Sequence, residues 1–463
     1  MMSQELGRRV KPVHLLMAAA ALHVTLTVVI YLIGRFALLP GVFDGNGFGL
    51  LFAADCIAYR GEVISLIDTL FQQGLMAWLS ASSNFLVNPF HLKIYSLSFA
   101  VLGPWLGYNI LSAEPLNLLY YLLILSLVFK LGCEVFDRRV GLLAAGMVGL
   151  WPSFLLHTTQ LFRDPLFIAA VLGLVLIYAC WLTRDYSWPK GLASGVAGGA
   201  VAWLLWFLRR EMWEVVLTMT LLAICLLIAR QFYEKRFLVG NLISAALLLA
   251  IIISLPRVWA IVEARNDLLS QSSVATSNTD GASPVTVQPD QTIAVAEGQA
   301  ISPGSSLPAR INQLRHGFIT SYPNAGSNID KEIEFSNMGD ILRYLPRAAA
   351  IGFFSPFPNM WFVAGPQTGL TGRLLCGLET FVIYVVELLA ILGLWQRRRC
   401  WSAWLLALAA GVGVIALGLV VINIGALYRM RYVFWMLLII LGAEGAVQAY
   451  SLWSSKRRSE VAA

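Results

Sequence analysis

Charge is scarce in this sequence. Only 13% of its 463 residues are Asp, Glu, Lys or Arg and 58% are hydrophobic, where a soluble domain carries about 25% charged residues, so a water-soluble fold is not expected. The strict alternation of apolar and polar residues that marks an outer-membrane β-barrel is also missing. Cysteine is sparse: five of the six (Cys133, Cys180, Cys225, Cys376, Cys400) sit in or beside apolar stretches and Cys56 sits in a loop. Neither a disulfide framework nor a Cys/His metal site follows from such scatter. The five histidines, His14, His23, His91, His157 and His316, are dispersed and read as interfacial or packing residues. A phosphate-cradling glycine loop, a dinucleotide fingerprint and an HExxH element are all lacking. That counts against a soluble nucleotide-sugar donor but not against a donor carried on lipid. No solenoid-type repeat is present.

What is there is a series of long apolar runs, among them Leu388 to Leu394 and Leu405 to Val421. A bilayer is crossed by roughly 20 such residues in a helix. The pattern predicts an all-α polytopic membrane protein with about ten transmembrane helices, near residues 13–36, 115–133, 140–159, 165–183, 191–208, 213–229, 237–255, 374–395, 401–421 and 431–450. The stretch from Val13 to Leu39, preceded by Arg8, Arg9 and Lys11, is too long for a signal-peptide core and is read as a retained first helix. A net charge of +7 and a pI near 9.1 invite a nucleic-acid partner. Most of the excess basic residues, however, lie in short clusters beside the apolar runs, where they orient helices; membrane lipids, and no nucleic acid, are the partners expected.

Those clusters alternate. Arg8-Arg9-Lys11, Arg138-Arg139, Arg184 with Lys190, Arg230 with Lys235-Arg236, Arg397-Arg398-Arg399 and Lys456-Arg457-Arg458 fall at every second connector, so all six are placed on the cytoplasmic side together with both termini. Keeping that parity requires residues 91–111 not to cross. Lys93, Gly103-Pro104, Gly107 and Asn109 fit an interfacial or re-entrant helix there. Residues 345–362, broken at Ser355-Pro356-Phe357-Pro358, are likewise expected at the membrane surface. Three divisions result: an N-terminal transmembrane module over 1–255 containing a first outside loop at about 39–114, a large outside loop over 256–373, and C-terminal helices over 374–463. Residues 270–308, rich in Ser, Thr, Gly, Gln and Pro, are expected to be flexible.

Candidate chemistry collects on the outside. Asp44 and Asp55 follow the first helix, in Phe43-Asp44-Gly45-Asn46-Gly47 and Ala54-Asp55-Cys56-Ile57-Ala58-Tyr59-Arg60-Gly61-Glu62. A carboxylate at a headgroup boundary can take the proton of an attacking hydroxyl or hold a divalent cation against a phosphate; the plain alternative is a pair of solvated loop acids. Arg163-Asp164-Pro165 lies between two helices, with Asp164 suited to cap the second and also to stand, exposed, as a second acid near Asp55. Arg163 is available to pair with it or with a phosphate. Arg209-Arg210-Glu211 with Glu214, and Arg429-Met430-Arg431 between Tyr428 and Tyr432, break the charge rule. Internal pairing and snorkelling are the plain explanations, and a lipid-linked anionic substrate is the functional one.

This arrangement resembles the GT-C class of membrane glycosyltransferases, particularly the branch of protein O-mannosyltransferases and the lipid A aminoarabinose transferase. Asp55-Cys56-Ile57-Ala58-Tyr59 looks like the family's Asp-Glu-x-x-Tyr element, with Cys56 in place of the second acid. Asn117 to Ala145, including Phe136-Asp137-Arg138-Arg139-Val140-Gly141, looks like its second helix, basic turn and third helix, and Trp151-Pro152 through Asp164-Pro165 is similar to its Pro-containing segment and Asp-Pro helix start. Arg429 to Tyr432 looks like the arginine-tyrosine start of a late helix in related polysaccharide enzymes. The resemblance covers chiefly Val13 to Thr183. It implies transfer of a sugar from a polyprenyl-phosphate donor to an acceptor on the outer face of the membrane, with Asp55 as base or metal-associated acid and Asp164 as second acid.

The expectation is therefore a cell-surface polysaccharide or glycolipid glycosyltransferase in a bacterial inner membrane, its site facing outward. Asp44, Asp55 and Asp164 are the candidate catalytic acids, and Tyr59, Arg60, Arg163, Arg209, Arg210, Arg429 and Arg431 the candidate substrate contacts. No cofactor is assigned apart from a divalent cation at Asp55 if one is used. A polymerase or ligase acting on undecaprenyl-pyrophosphate-linked glycans suits the same arginines. A transporter or flippase is disfavoured because the ionisable residues gather at one face and not near the midplane.

Overall fold

The computed structural model describes residues 11–45, 49–50, 54–83, 89–277, 306–321, 326–365 and 369–462. Its helices are α1 (Pro12–Arg35), α2 (Ala54–Gln73), α3 (Leu75–Ser80), α4 (Phe90–Leu106), α5 (Ile110–Val135), α6 (Arg138–Gly149), α7 (Pro152–Thr158), α8 (Asp164–Thr183), α9 (Trp188–Leu208), α10 (Trp213–Glu234), α11 (Val239–Ser277), α12 (Leu307–Ser321), α13 (Met338–Phe354), α14 (Gly369–Gln396), α15 (Trp401–Val420), α16 (Ile424–Met430) and α17 (Tyr432–Ala462). Among the described residues, nine helices are long and apolar enough to span a membrane. The pair α6 and α7, bent by 68°, brings the number to ten when counted as one broken span. The protein is thus an all-α polytopic membrane protein, its nine long apolar helices lying at positions the apolar runs predict.

Local chemistry sets the breaks. Asp137 accepts from Arg139 N (2.7 Å) and Val140 N (3.0 Å), capping α6 at the basic turn. Pro152, in the first turn of α7, cannot continue the ladder of α6 and so fixes the bend. Asn109 caps α5 by accepting from Leu111 N (2.9 Å). Ahead of it, α4 has 17 residues and turns Leu97, Val101 and Trp105, spaced one helical turn apart, outward. That is the short, one-sided helix expected beside a bilayer.

Two boundaries differ from expectation. The segment placed at 345–362 begins earlier, at Met338, where Asn337 and Asp340 form a capping box. It lies against the bundle: a Cβ at Gly352 would meet the Val414 carbonyl, and one at Gly418 the Ala348 carbonyl. Helix α11 runs on past residue 255 through Pro256 to Ser277, so the first part of the 270–308 stretch is helical. Residues 278–305 lie outside the described residues.

Lipid tails are as apolar as leucine, so helices in a membrane associate through close van der Waals fit and polar contacts. The pair α14 and α17 shows this: a Cβ at Gly445 would strike the Leu389 carbonyl, and one at Gly393 the Leu441 carbonyl. Polar locks close the two ends. At one end Arg184 pairs with Glu134, Arg230 donates to the Trp181 carbonyl (3.0 Å) and Asp185 (3.1 Å), and Asn241 Nδ2 donates to the Trp181 and Arg184 carbonyls. Every one of these residues comes from a connector, or a helix end beside one, that the basic clusters assign to a single side. At the other end lie Asp164, Arg209 and Glu211.

Gly445→Leu should force α14 from α17 and cost about 1–3 kcal/mol, the usual range for overpacking, read as a lower thermal unfolding temperature in detergent. Gly411, with nothing within 4 Å of its added Cβ, is the control; an equal drop in Gly411→Leu would show that glycine loss alone, and not backbone contact, is responsible.

Candidate functional site

Asp55 lies in the first turn of α2, where the positive end of the helix dipole favours a carboxylate. Its Oδ2 accepts from Arg429 Nη2 at 2.8 Å, and both side chains remain about one quarter exposed (25% and 28%). The Arg429 guanidinium lies over the Phe162 ring, 5.1 Å from its centroid. Phe162 in turn stacks on His157 at 4.4 Å. His157 Nε2 is 3.0 Å from Asp164 Oδ2, and Arg209 binds the other oxygen of that carboxylate. An unbroken line of contacts therefore joins Asp55 to Asp164.

The two acids are not equivalent. Asp164, expected to be exposed and to cap α8, is 4% exposed and is the first helical residue, with no side-chain cap. Its oxygens are committed to His157 and Arg209, which is why it neither caps nor faces solvent. Around it the charges cancel: Arg163 donates to the Leu208 carbonyl (3.1 Å) and to Glu211 (3.4 Å), and Arg209 also reaches Glu211 (3.3 Å). Glu214 pairs with Arg310 of α12. Arg210 lies over the rings of Trp206 (4.9 Å) and Trp259 (5.6 Å). The arginines on the unexpected side are thus matched within the protein by carboxylates and indole faces.

Arg431 departs furthest from expectation. It is fully buried (0% exposed), donates to the carbonyls of Gly352 (2.8 Å) and Ser355, and lies 3.9 Å from the Trp435 ring centroid. It satisfies the open carbonyl end of α13, out of reach of any phosphate in solvent. Tyr59 also turns inward, edge-on to His91 at 5.1 Å. Arg60 donates to the Tyr108 carbonyl (3.2 Å) and feels the charge of Asp44. Asp44 is half-buried beside a short bridge between Phe43 and Leu50; Asn46 and Gly47 lie outside the described residues.

Cys56, where the resembling family has its second acid, is buried and accepts from Leu161 N at 3.4 Å. Burial pushes its thiol up to about 12, so it is a neutral packing group. The same loop is fastened by Leu50 N donating to Gln160 (3.3 Å). Gly49 sits at φ +100° with its missing Cβ filled by the Gln160 amide, a position no other residue suits. Among the described residues no group of three or more His, Cys, Asp or Glu is arranged to hold a metal ion. Asp55 is bound by Arg429.

Two buried polar clusters escaped the sequence reading. His23 Nδ1 is 2.8 Å from Glu114 and its Nε2 is 3.1 Å from the Thr158 hydroxyl, while Thr27 donates to Glu114 (2.7 Å). Glu379 accepts from Trp151 Nε1 (3.2 Å), Ser153 N (2.7 Å), Ser153 Oγ (2.5 Å) and the Tyr428 hydroxyl. The available signal was an ionisable residue inside an apolar run, which Glu114 and Glu379 both are.

No protein-family model matches the chain, and no curated protein matches it. Among solved structures it is similar to the archaeal oligosaccharyltransferase AglB from Archaeoglobus fulgidus in complex with an inhibitory peptide and a dolichol-phosphate, at 13% identity and a TM-score of 0.43 over 95% of this chain and 52% of that one. The chain therefore spans about half the length of that protein.

Arg209→Met strips Asp164 of its buried partner and is expected to cost about 3–5 kcal/mol, as breaking a buried ion pair does. Unfolding of the Arg209→Met, Asp164→Leu double variant should cost less than the sum of the two single changes. Strict additivity would mean the pair is not coupled.

Proposed function

We propose that this chain is a membrane glycosyltransferase that moves a sugar from a polyprenyl-phosphate-linked donor to an acceptor hydroxyl at the outer membrane boundary. The observation that carries the reading is the part-exposed Asp55–Arg429 pair, 2.8 Å long and joining residues 374 apart in sequence. Glycosyl transfer from a lipid phosphate needs two groups at one place. A base must take the proton of the attacking hydroxyl, and a cation must stabilise the phosphate that departs as its bond to the sugar carbon breaks. Asp55 supplies the first and Arg429 the second.

The roles are chemically compatible with the pair. Arg429 has five N–H donors in a planar fork, so it can turn from carboxylate to phosphate when a donor arrives. Asp55, released, faces the acceptor. His157, Phe162 and Asp164 hold the aromatic platform beneath the guanidinium and act as positioning residues. The resemblance of Asp55 to Tyr59 and of Arg163 to Pro165 to GT-C elements supports the same assignment.

In membranes supplied with a labelled polyprenyl-phosphate sugar donor, Asp55→Asn should lower transfer by 10²- to 10⁴-fold, the usual span for a general base, with thermal unfolding unchanged to within a few degrees. Arg429→Ala should weaken donor use more than Arg429→Lys does, since a lysine keeps charge but not the fork. Full activity in Asp55→Asn would overturn the proposal.

A further inference from the structure

Helix α2 does more than present Asp55. Asp55, Glu62, Thr69 and Gln73 are spaced by 7, 7 and 4 residues, which places them on one face of the helix. At its end Gly74 takes φ +86°, a conformation a side chain would strain, and folds the short α3 back beside α2. Trp78 anchors that turn from below by donating to Ser96 Oγ at 2.9 Å. Between the two helices lies an open cleft of about 340 Å³, within the range of small-ligand sites. Glu62, Ser65, Thr69, Gln73, Ser80 and Ser82 line it.

The chemistry of this lining is specific. It offers hydroxyls, one amide and one carboxylate beside the apolar Leu66, Ala77 and Ala81, and among the described residues that line it none is basic. Lys93, on the neighbouring α4, spends a donor on the Leu79 carbonyl at 2.6 Å. A phosphate or pyrophosphate placed among these residues would meet the Glu62 carboxylate. A hydroxyl-rich neutral ligand, by contrast, can both donate to Glu62 and exchange hydrogen bonds with the serines, Thr69 and Gln73. The cleft begins two helical turns from Asp55, ~10 Å along the axis, and reaches Gln73 at ~27 Å. We propose that it binds the neutral sugar residues of a glycan acceptor and aligns the chain so that its terminal hydroxyl meets Asp55. This deepens the glycosyltransferase reading and rests on it for the identity of the acceptor.

Binding is measurable without turnover. The full chain in lipid nanodiscs is titrated with maltotriose and chitotriose as free neutral glycans, with vesicles containing a neutral glycosyldiacylglycerol as a lipid-borne sugar, and with inorganic pyrophosphate as the anion, following saturation transfer by NMR or retention by sedimentation. At least one neutral sugar should bind, and Glu62→Gln and Thr69→Leu should each weaken it at least tenfold. Asp68→Asn, exposed on α2 and outside the cleft lining, should leave it unchanged. Binding of a free trisaccharide supports an acceptor from the aqueous side, and binding of the glycolipid alone supports one carried on lipid. No binding of any neutral sugar, binding undiminished by both variants, or preference for pyrophosphate overturns the proposal. Asp55→Asn should keep the binding. A fully active Asp55→Asn would remove the catalytic reading while leaving the cleft result standing, so the two failures are told apart.

Discussion

The carboxylate of Glu379 is the fixed point of this bundle. It comes from the middle of α14, deep in an apolar helix, and the cost of removing such a charge from water is met only when its lone pairs are filled. They are filled by a tryptophan and a serine at the start of α7 and by a tyrosine of α16. Tyr432 extends the network by donating to Ser153 Oγ at 2.8 Å. The bend between α6 and α7, the short α16 and the start of α17 are therefore held in register by one side chain. The residues they present, His157 and Phe162 on one side and Arg429 on the other, meet because of that register.

The same rule of matched charge shapes the functional end. Arg163, Arg209, Asp164 and Glu211 form a closed set in which positive and negative groups balance, and Arg431 is satisfied by carbonyls and aromatic faces. A low-dielectric site can hold many ionisable groups only by pairing them, and pairing removes most of them from chemistry with a ligand. Asp55 and Arg429 differ from the buried Asp164, Arg209 and Arg431 in exposure: the pair is made, yet solvent reaches both members.

The fold was legible because membranes impose a crude and strong constraint. Runs of apolar residues marked the spans and Arg138-Arg139 marked a basic turn, whereas the 68° bend before Pro152 falls inside a stretch that hydropathy reads as one span over 140–159. The site was legible in part. Asp55 and Arg429 stood out as charged residues near span ends, but nothing local says that positions 374 apart meet. The burial of Asp164 and Arg431 was hidden for a related reason. A charged residue next to a span end reads as exposed until the helix packed over it is known, and those helices, α9 and α13, are distant in sequence. His157 was passed over because its partner Asp164 lies across the non-helical residues 159–163, where helical spacing gives no guide.

The joining of Asp55 to Arg429 also sets an order in time. A ribosome adding about 5–20 residues per second reaches Arg429 roughly 20–75 s after Asp55 has been made, when nearly every span is already in place. Until then the acid stands without its guanidinium, while Gln160 and Leu161 already hold the segment around it. This end of the bundle is therefore completed last, when α16 brings Tyr428 to Glu379 of α14, and a nascent chain halted before that point would carry most of the scaffold but not the pair.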